Sequence, residues 1–145
     1  MSVSNREMEF IISSSLFHTK LQKKVDNQLS YHGISFTEYL IMNQLNSAPN
    51  KTMRRIELAE SIGITASGVT RLLAPMEKIK LVKKEVNPRD ARVSLVKLTK
   101  VGEQLFKEAT VSFGHGAKIL MEPLSESQLD KLIELTNRLM YVQSK

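Results

Sequence analysis

Apolar residues between positions 58 and 79 recur every three or four residues, which is the spacing of amphipathic helices. Leu58, Ala59 and Ile62 mark a first helix, which we expect to end at Gly63 because glycine readily adopts the left-handed conformation of a helix end. Thr65 is placed to cap a second helix. The apolar stripe of that helix comprises Val69, Leu72, Leu73, Met76 and Ile79. The pattern predicts two helices joined by a tight turn.

Two strand-like segments, 81–86 and 93–98, follow the second helix. They flank the tetrapeptide 87–90, Asn-Pro-Arg-Asp, which is a turn sequence because proline presets the second turn position. The segment therefore predicts a β-hairpin with arginines near its tip. Two helices followed by a basic hairpin are the order of elements in a winged helix-turn-helix.

Helix starts are well marked on both sides of this segment. Ser35 and Glu38 form a capping box, with Ile34 and Tyr39 spaced for a hydrophobic staple, and the helix that begins there is expected to reach about residue 46. Residues 125–128, Ser-Glu-Ser-Gln, form a second capping box.

The first and last helices carry unusually wide apolar stripes. The N-terminal helix, about residues 5–30, presents Met8 and Leu16 on one face and Phe10 and Phe17 on another. The C-terminal helix after residue 128 likewise carries an apolar stripe that is too wide for a helix lying on a single surface. We therefore expect each of these helices to contact two partners. The fold class predicted is mainly α with a small β-hairpin wing.

The net charge of +6 is concentrated in the centre of the chain. Residues 51–100 hold 12 Lys and Arg against 5 Asp and Glu, whereas the remaining residues hold 9 against 10. A localised basic patch is the electrostatic footprint of phosphate binding. Together with the helix-turn-helix pattern, it predicts double-stranded DNA as a partner.

Several other classes of protein are disfavoured by the sequence. The absence of cysteine excludes disulfides and Cys-ligated zinc, and the three histidines lack a short metal-ligand spacing. We find no Gly-rich phosphate loop or nucleophile motif, so neither an enzyme nor a cofactor is expected. No apolar run approaches about 20 residues, which predicts a cytoplasmic protein without a membrane partner.

Four residues occupy the polar face of the second helix near its start: Ser67, Gly68, Thr70 and Arg71. Arg71 is the strongest candidate for a base or phosphate contact because a guanidinium can bridge O6 and N7 of guanine. Its alternative role is a surface ion pair. Ser67 and Thr70 can contact DNA, although Ser67 could instead complete the helix cap. Gly68 removes bulk and permits a close approach of the backbone.

Three further arginines are candidates for DNA contact. Arg54 and Arg55 open the preceding helix, where the helix macrodipole disfavours cations. A phosphate across that helix start would explain them, and a pair of solvated charges is the alternative. Arg89, at the hairpin turn, is a candidate for insertion into a narrow minor groove.

The chain resembles the MarR family of bacterial transcriptional regulators. The matching residues are Leu58-Ala59-Glu60 with Gly63, Val69-Thr70-Arg71-Leu72, Asp90-Ala91-Arg92, Leu98-Thr99 and Gly102. The resemblance implies a homodimer in which the terminal helices interlock. It divides the chain into an N-terminal dimerisation helix (1–34), a winged helix-turn-helix (35–100) and C-terminal dimerisation helices (101–145).

The resemblance also assigns roles in the hairpin. Asp90 and Arg92 match the family's wing signature, which makes Arg92 a second candidate for the minor groove. Asp90 would orient Arg92 through a charge-assisted hydrogen bond, or it would form the turn as an Asx side chain. Two departures concern the second helix: Pro75 lies inside it and is expected to bend it, and Lys80 stands where a glycine would commonly end it.

Members of this family commonly bind small aromatic or phenolic effectors. Five residues lie in the corresponding region of this chain: His18, Tyr31, His32, Phe36 and Tyr39. Each could equally be an ordinary core or surface residue. The function predicted is a ligand-responsive, sequence-specific transcriptional repressor or activator that binds pseudo-palindromic operators as a homodimer. The alternative is a non-specific architectural DNA-binding protein.

Overall fold

The computed structural model describes residues 5–142. The ends of the two predicted dimerisation segments, residues 1–4 and 143–145, lie outside this range. Within it, six α-helices and three β-strands follow one another as α1 (Arg6–Leu29), α2 (Phe36–Ser47), β1 (Thr52–Arg54), α3 (Arg55–Ile62), α4 (Ala66–Lys78), β2 (Val82–Asn87), β3 (Asp90–Leu98), α5 (Lys100–Leu120) and α6 (Glu126–Val142). The predicted fold class, mainly α with a hairpin wing, is confirmed.

The chain divides into two compact units, Met1–Phe113 and Gly114–Lys145. The first unit contains α1 together with the helix-turn-helix and the strands, and the boundary falls within α5. The three-part division at residues 34 and 100 concerns dimerisation and stays a prediction.

The predicted helix starts are confirmed by their caps. The Ser35 hydroxyl accepts from the Glu38 N–H at 3.1 Å, and the Glu38 carboxylate accepts from the Ser35 N–H at 2.8 Å. The same reciprocal pair joins Ser125 and Gln128 at the start of α6. Each capping box satisfies backbone donors that a helix start leaves unpaired, which fixes where the helix begins.

The three strands form an antiparallel sheet in the order β1-β3-β2. The sequence predicted the β2-β3 hairpin but not β1, because three residues are too few to show alternation. Strand β3 begins at Asp90, three residues earlier than predicted, so Asp90 lies in the strand rather than in the turn, and Arg92 lies in the strand as well. The turn itself is reduced to residues 88–89.

The apolar face of α4 is buried at Val69, Leu73 and Met76, each at most 1% exposed. The predicted stripe was wrong at its last member, since Ile79 is 59% exposed. The reason is that α4 ends at Lys78, so Ile79 is the C-cap residue and leaves the helical spacing. Helix α4 continues through Pro75.

Lys80 adopts the left-handed conformation expected at this helix end, with φ of 66°. The Leu81 N–H donates to the Met76 carbonyl at 2.9 Å and the Lys80 N–H donates to the Glu77 carbonyl at 3.0 Å. These hydrogen bonds end α4 in the way that is usual for helices that end at a glycine. A lysine in this left-handed position bears a steric penalty. The chain then turns directly into β2.

A close contact joins the start of α5 to the start of β2. The Thr99 N–H donates to the Leu81 carbonyl at 3.0 Å, and the Thr99 hydroxyl accepts from the Gly102 N–H at 3.0 Å. A Cβ atom on Gly102 would overlap the Leu81 carbonyl oxygen and lie 2.7 Å from the Leu98 side chain. Only glycine allows this approach, which anchors the base of the hairpin to α5.

Replacement of Gly102 by alanine is therefore expected to lower the free energy of unfolding by about 1 to 3 kcal/mol, because backbone atoms must shift to admit the methyl group. The matched control is Gly114→Ala in the same helix, where an added Cβ meets no described atom within 4 Å. The control should be neutral or stabilising by up to about 1 kcal/mol. Denaturant unfolding of both variants measures this, and equal effects would show that the contact is not tight.

Candidate nucleic-acid interface

Burial of one face of α4 directs its opposite face to solvent. Ser67, Thr70 and Arg71 are all exposed on that opposite face. The Thr70 hydroxyl donates to the Ala66 carbonyl at 3.2 Å, which holds it against its own helix. The structure thus places the predicted polar side chains together at the start of α4, where they can enter a groove of DNA.

The cap of α4 uses two of the residues predicted to contact DNA. The Thr65 hydroxyl accepts from the Gly68 N–H at 3.0 Å and lies 3.2 Å from the Ser67 hydroxyl. A Cβ on Gly68 would lie 3.1 Å from the same Thr65 oxygen. Ser67 therefore takes part in the cap, and the missing side chain of Gly68 makes room for it.

Arg71 is a cation on the exposed face of α4. It is exposed, and its guanidinium forms no hydrogen bond or ion pair with any residue of the described range 5–142. The alternative role considered for Arg71, a surface ion pair within the chain, is absent from this part of the structure. Its five N–H donors are free for an external acceptor.

Arg54 and Arg55 differ from their predicted placement. Only Arg55 lies in α3, because Arg54 is the last residue of β1 and the N-cap. The Arg55 guanidinium lies 2.7 Å from the Glu77 carboxylate of α4, with the two side chains 16% and 25% exposed. Arg55 is therefore half-buried in an ion pair that joins α3 to α4, whereas Arg54 is exposed. No local pattern signals the ion pair, since the partners are 22 residues apart.

The Asp90 carboxylate holds the Arg92 guanidinium in a two-pronged contact. Arg92 Nε donates to Asp90 Oδ1 at 3.1 Å and Nη2 donates to Oδ2 at 3.2 Å. The Arg92 N–H also donates to Oδ1 at 3.0 Å, which is the Asx geometry. Both roles considered for Asp90 are thus present at once.

Arg92 remains open to solvent despite this contact, with its side chain 91% exposed. The hydrogen bonds from its side chain, followed by that from its backbone, lower the pKa of Asp90. The charge of Arg54 lowers the pKa further. Asp90 therefore stays ionised at neutral pH and keeps Arg92 oriented.

A groove of about 280 Å³ brings the helix-turn-helix and the hairpin together. Its lining includes Arg54 at the end of β1, Thr70 of α4 and Arg92 of β3. Arg89 is exposed at the hairpin turn, where its N–H donates to the Asn87 side chain at 2.9 Å. Arg54 and Arg92, from two strands, thus line one groove together with Thr70 of the polar face of α4.

Three of the five predicted effector residues pack against α5. The Tyr39 hydroxyl lies 2.8 Å from that of Thr110, and Tyr39 is buried. The ring of Phe36 contacts that of Phe113 at 5.6 Å between centroids. His32 Nε2 lies 2.8 Å from the Ser112 hydroxyl. Tyr39 is therefore a core residue, which is one of the roles considered for it.

The other two effector candidates do not join this set. Tyr31 is 92% exposed and touches only the edge of the His32 ring, at 5.8 Å between centroids. His18 is exposed on α1. The five residues predicted as one pocket therefore occupy three different environments.

Residues 5–142 lack two further features that would indicate other functions. No three His, Asp or Glu side chains there are grouped as metal ligands would be. No helix in that range has both the length and the apolar character needed to cross a membrane.

Comparison with known proteins identifies a family that this chain resembles. The model of the MarR family matches residues 32–93, the segment that runs from the residues before α2 through β2 to the first residues of β3. The fold is similar to that of Sco3205 of Streptomyces coelicolor, a MarR family transcriptional regulator solved in complex with DNA, with a TM-score of 0.85. That match has 23% identity and covers 97% of this chain and 89% of Sco3205.

The chain therefore resembles the MarR family over residues 32–93. It is also similar to the uncharacterised HTH-type transcriptional regulator YhbI of Bacillus subtilis, with 27% identity over 88% of the chain and 81% of YhbI. The transcriptional repressor MprA of Escherichia coli is 23% identical over 91% of the chain and 76% of MprA. The predicted family resemblance is confirmed.

The contact between Asp90 and Arg92 has a measurable titration. In the Arg92→Gln variant we expect the pKa of Asp90 to rise toward its ordinary value, because the main hydrogen bonds to the carboxylate are lost. The lowered pKa means that the contact is present at neutral pH and is lost as pH falls through that pKa. Carboxyl NMR titration measures the change. Arg89→Gln is the control and should leave the pKa of Asp90 unchanged. An unchanged pKa of Asp90 in Arg92→Gln would show that the two-pronged contact is absent.

Proposed function

We propose that this protein is a MarR-family, sequence-specific, DNA-binding transcriptional regulator that acts as a homodimer. The observation that carries the proposal is the convergence of Thr70, Arg54 and Arg92 on one groove beside the exposed face of α4. The family consists of transcriptional regulators, which favours this role over an enzymatic one. MprA is named a repressor, and Sco3205 is solved with DNA.

In the proposed complex, the start of α4 enters the major groove. Arg71 is the main reader of base edges, since its guanidinium is exposed and lacks a partner within residues 5–142. Thr70 and Ser67 are short enough to admit the helix and to contact phosphates. Arg55 contributes indirectly, because its ion pair with Glu77 sets the position of α3 against α4.

The hairpin supplies the second part of the proposed interface. Arg92 leaves the sheet with its guanidinium already oriented by Asp90, so less rotamer freedom is lost when it binds. Arg89 lies at the turn beyond it. Both are suited to a narrow minor groove, where the negative potential is strongest.

Homodimer formation is supported by apolar side chains that each terminal helix exposes. On α1 these are Met8, Phe10, Ile11, Ile12, Leu16 and Phe17. On α6 they are Leu132, Ile133, Leu135, Leu139 and Met140. Exposed apolar surface of this extent is typical of a face that is covered by another chain. Two copies would place two α4 helices on one face of the duplex, as a pseudo-palindrome requires.

We extend the proposal to a small aromatic or phenolic effector. The half-buried rings of Phe36 and Phe113 offer a stacking surface, and His32, which precedes α2 and contacts Ser112 of α5, supplies a polar group. Ligand binding there would act through the contacts between α2 and α5.

Replacement of Arg71 by alanine tests the reading of DNA. On an operator selected from random duplexes, Arg71→Ala is expected to lower affinity by about 1 to 3 kcal/mol and to relax preference at one base position. Lys78→Ala, about two turns further along α4, is the matched control and should change affinity little. Competition with random duplex at physiological salt measures the specific part.

An equal loss on operator and random duplex would show that Arg71 contacts phosphate alone. Absence of any operator preference in the unmodified protein would favour the alternative function, a non-specific architectural protein that binds DNA through charge.

Replacement of Ile11 by aspartate tests the homodimer. The charge would be buried without a partner if α1 is covered by a second chain, so the dimer should dissociate at least about tenfold more readily. Ile79→Asp, on an exposed residue that follows α4, is the control and should leave association unchanged. Sedimentation equilibrium measures both; a dimer unaffected by Ile11→Asp would place the interface elsewhere.

A further inference from the structure

A second basic site lies near the base of the sheet. A cavity of about 480 Å³ is lined by the side of the sheet, the turn before β1 and the start of α5. Four lysines line it together with one carboxylate: Lys51, Lys83, Lys97, Lys100 and Glu103. We call it the lysine cavity. Its volume lies within the range of small-molecule sites.

Like charges in the lysine cavity are forced together by strand pairing. Lys83 of β2 and Lys97 of β3 are directly opposed in the antiparallel register. Like charges at opposed positions destabilise a sheet, and Thr52 on the other side of Lys97 carries no charge to compensate. The arrangement therefore favours a bound anion.

The single carboxylate of the lysine cavity is already shared. Glu103 lies 3.8 Å from the Lys51 ammonium and 3.5 Å from that of Lys100. Lys83 pairs at 3.7 Å with Glu85, which does not line the cavity. Half-buried Lys97 has neither a hydrogen bond nor an ion pair within the described range. The lining thus contains four lysines and one carboxylate, which leaves it with a net charge of +3.

Lys51 is held in place rather than free to move. Its ammonium donates to the Asn46 carbonyl at 3.2 Å and to the Asn46 side-chain oxygen at 3.1 Å. The turn that carries it has left-handed backbone at both Asn50 and Lys51, with φ of 55° and 54°. A cation that is already oriented loses little entropy when it binds an anion.

The lysine cavity is separate from the candidate DNA interface. Lys97 follows Arg92 by five residues along β3, which corresponds to about 16 Å of extended strand. None of the cavity-lining residues lines the groove that contains Arg92 and Thr70. DNA held by α4 and the hairpin therefore does not account for these lysines.

We propose that the lysine cavity binds a small anion with at least two negative charges, of the phosphate or carboxylate class. Lys97 and Lys83 neutralise it from the sheet, and Lys51 and Lys100 neutralise it from the turn and the start of α5. Ammonium groups act as point charges and suit phosphate oxygens without demanding one geometry.

The test is direct calorimetric titration of the full-length protein with pyrophosphate, without DNA and at low ionic strength. We expect saturable binding with one pyrophosphate per chain. Lys97→Gln should weaken it about tenfold or more, because a charged hydrogen-bond donor is lost. Lys84→Gln is the matched control: Lys84 is adjacent on β2 but does not line the cavity, and its loss should change affinity less than about twofold.

Folding of the variant is checked independently by thermal melting in anion-free buffer. Lys97→Gln should melt at or above the temperature of the unmodified protein, because it removes the repulsion with Lys83. Pyrophosphate should then raise the melting temperature of the unmodified protein more than that of the variant.

Three results would overturn the proposal. They are the absence of saturable binding, equal losses in Lys97→Gln and Lys84→Gln, and a loss of duplex DNA affinity in Lys97→Gln without any effect on pyrophosphate. The third would make the lysines a DNA contact. Because the titration contains no DNA, its failure leaves the proposed regulatory function untouched, and failure of operator binding leaves this site untouched.

Discussion

Burial of one face of α4 determines which of its side chains are presented to solvent. Val69, Leu73 and Met76 are almost completely inaccessible, and each buried side chain of this kind contributes about 1.5 to 3 kcal/mol. Successive helical residues are about 100° apart, so a rotation that turned Arg71 inward would expose this apolar face. The direction of Arg71 is therefore set by the core and not by any contact of its own.

Contacts around α4 carry this constraint to the other elements. The ion pair of Arg55 and Glu77 fixes α3, and the close approach of Gly102 to Leu81 fixes the base of the hairpin against α5. Strand β3 then spans two basic regions, with Arg92 near the hairpin turn and Lys97 near the base. A rigid strand between a proposed DNA contact and a proposed anion site offers a physical link between them.

Local patterns in the sequence predicted most of the fold, because caps and apolar periodicity act over a few residues. Ser35, Ser125 and Thr65 mark helix starts by their own hydrogen bonds, and the left-handed Lys80 follows from where α4 must end. Strand β1 was missed because its three residues pair with distant β3. For the same reason, no spacing indicated the partners of Arg55 and Tyr39.

In the proposed complex, two copies of this lobe read two half-sites on one face of DNA. The measurement that tests this arrangement is the affinity for a selected operator with 5 or 10 base pairs inserted between its half-sites. We expect a large loss of affinity with 5 base pairs, which places one half-site on the opposite face, and a partial recovery with 10, about one helical turn. Equal affinity for all three duplexes, or for an isolated half-site, would rule this arrangement out.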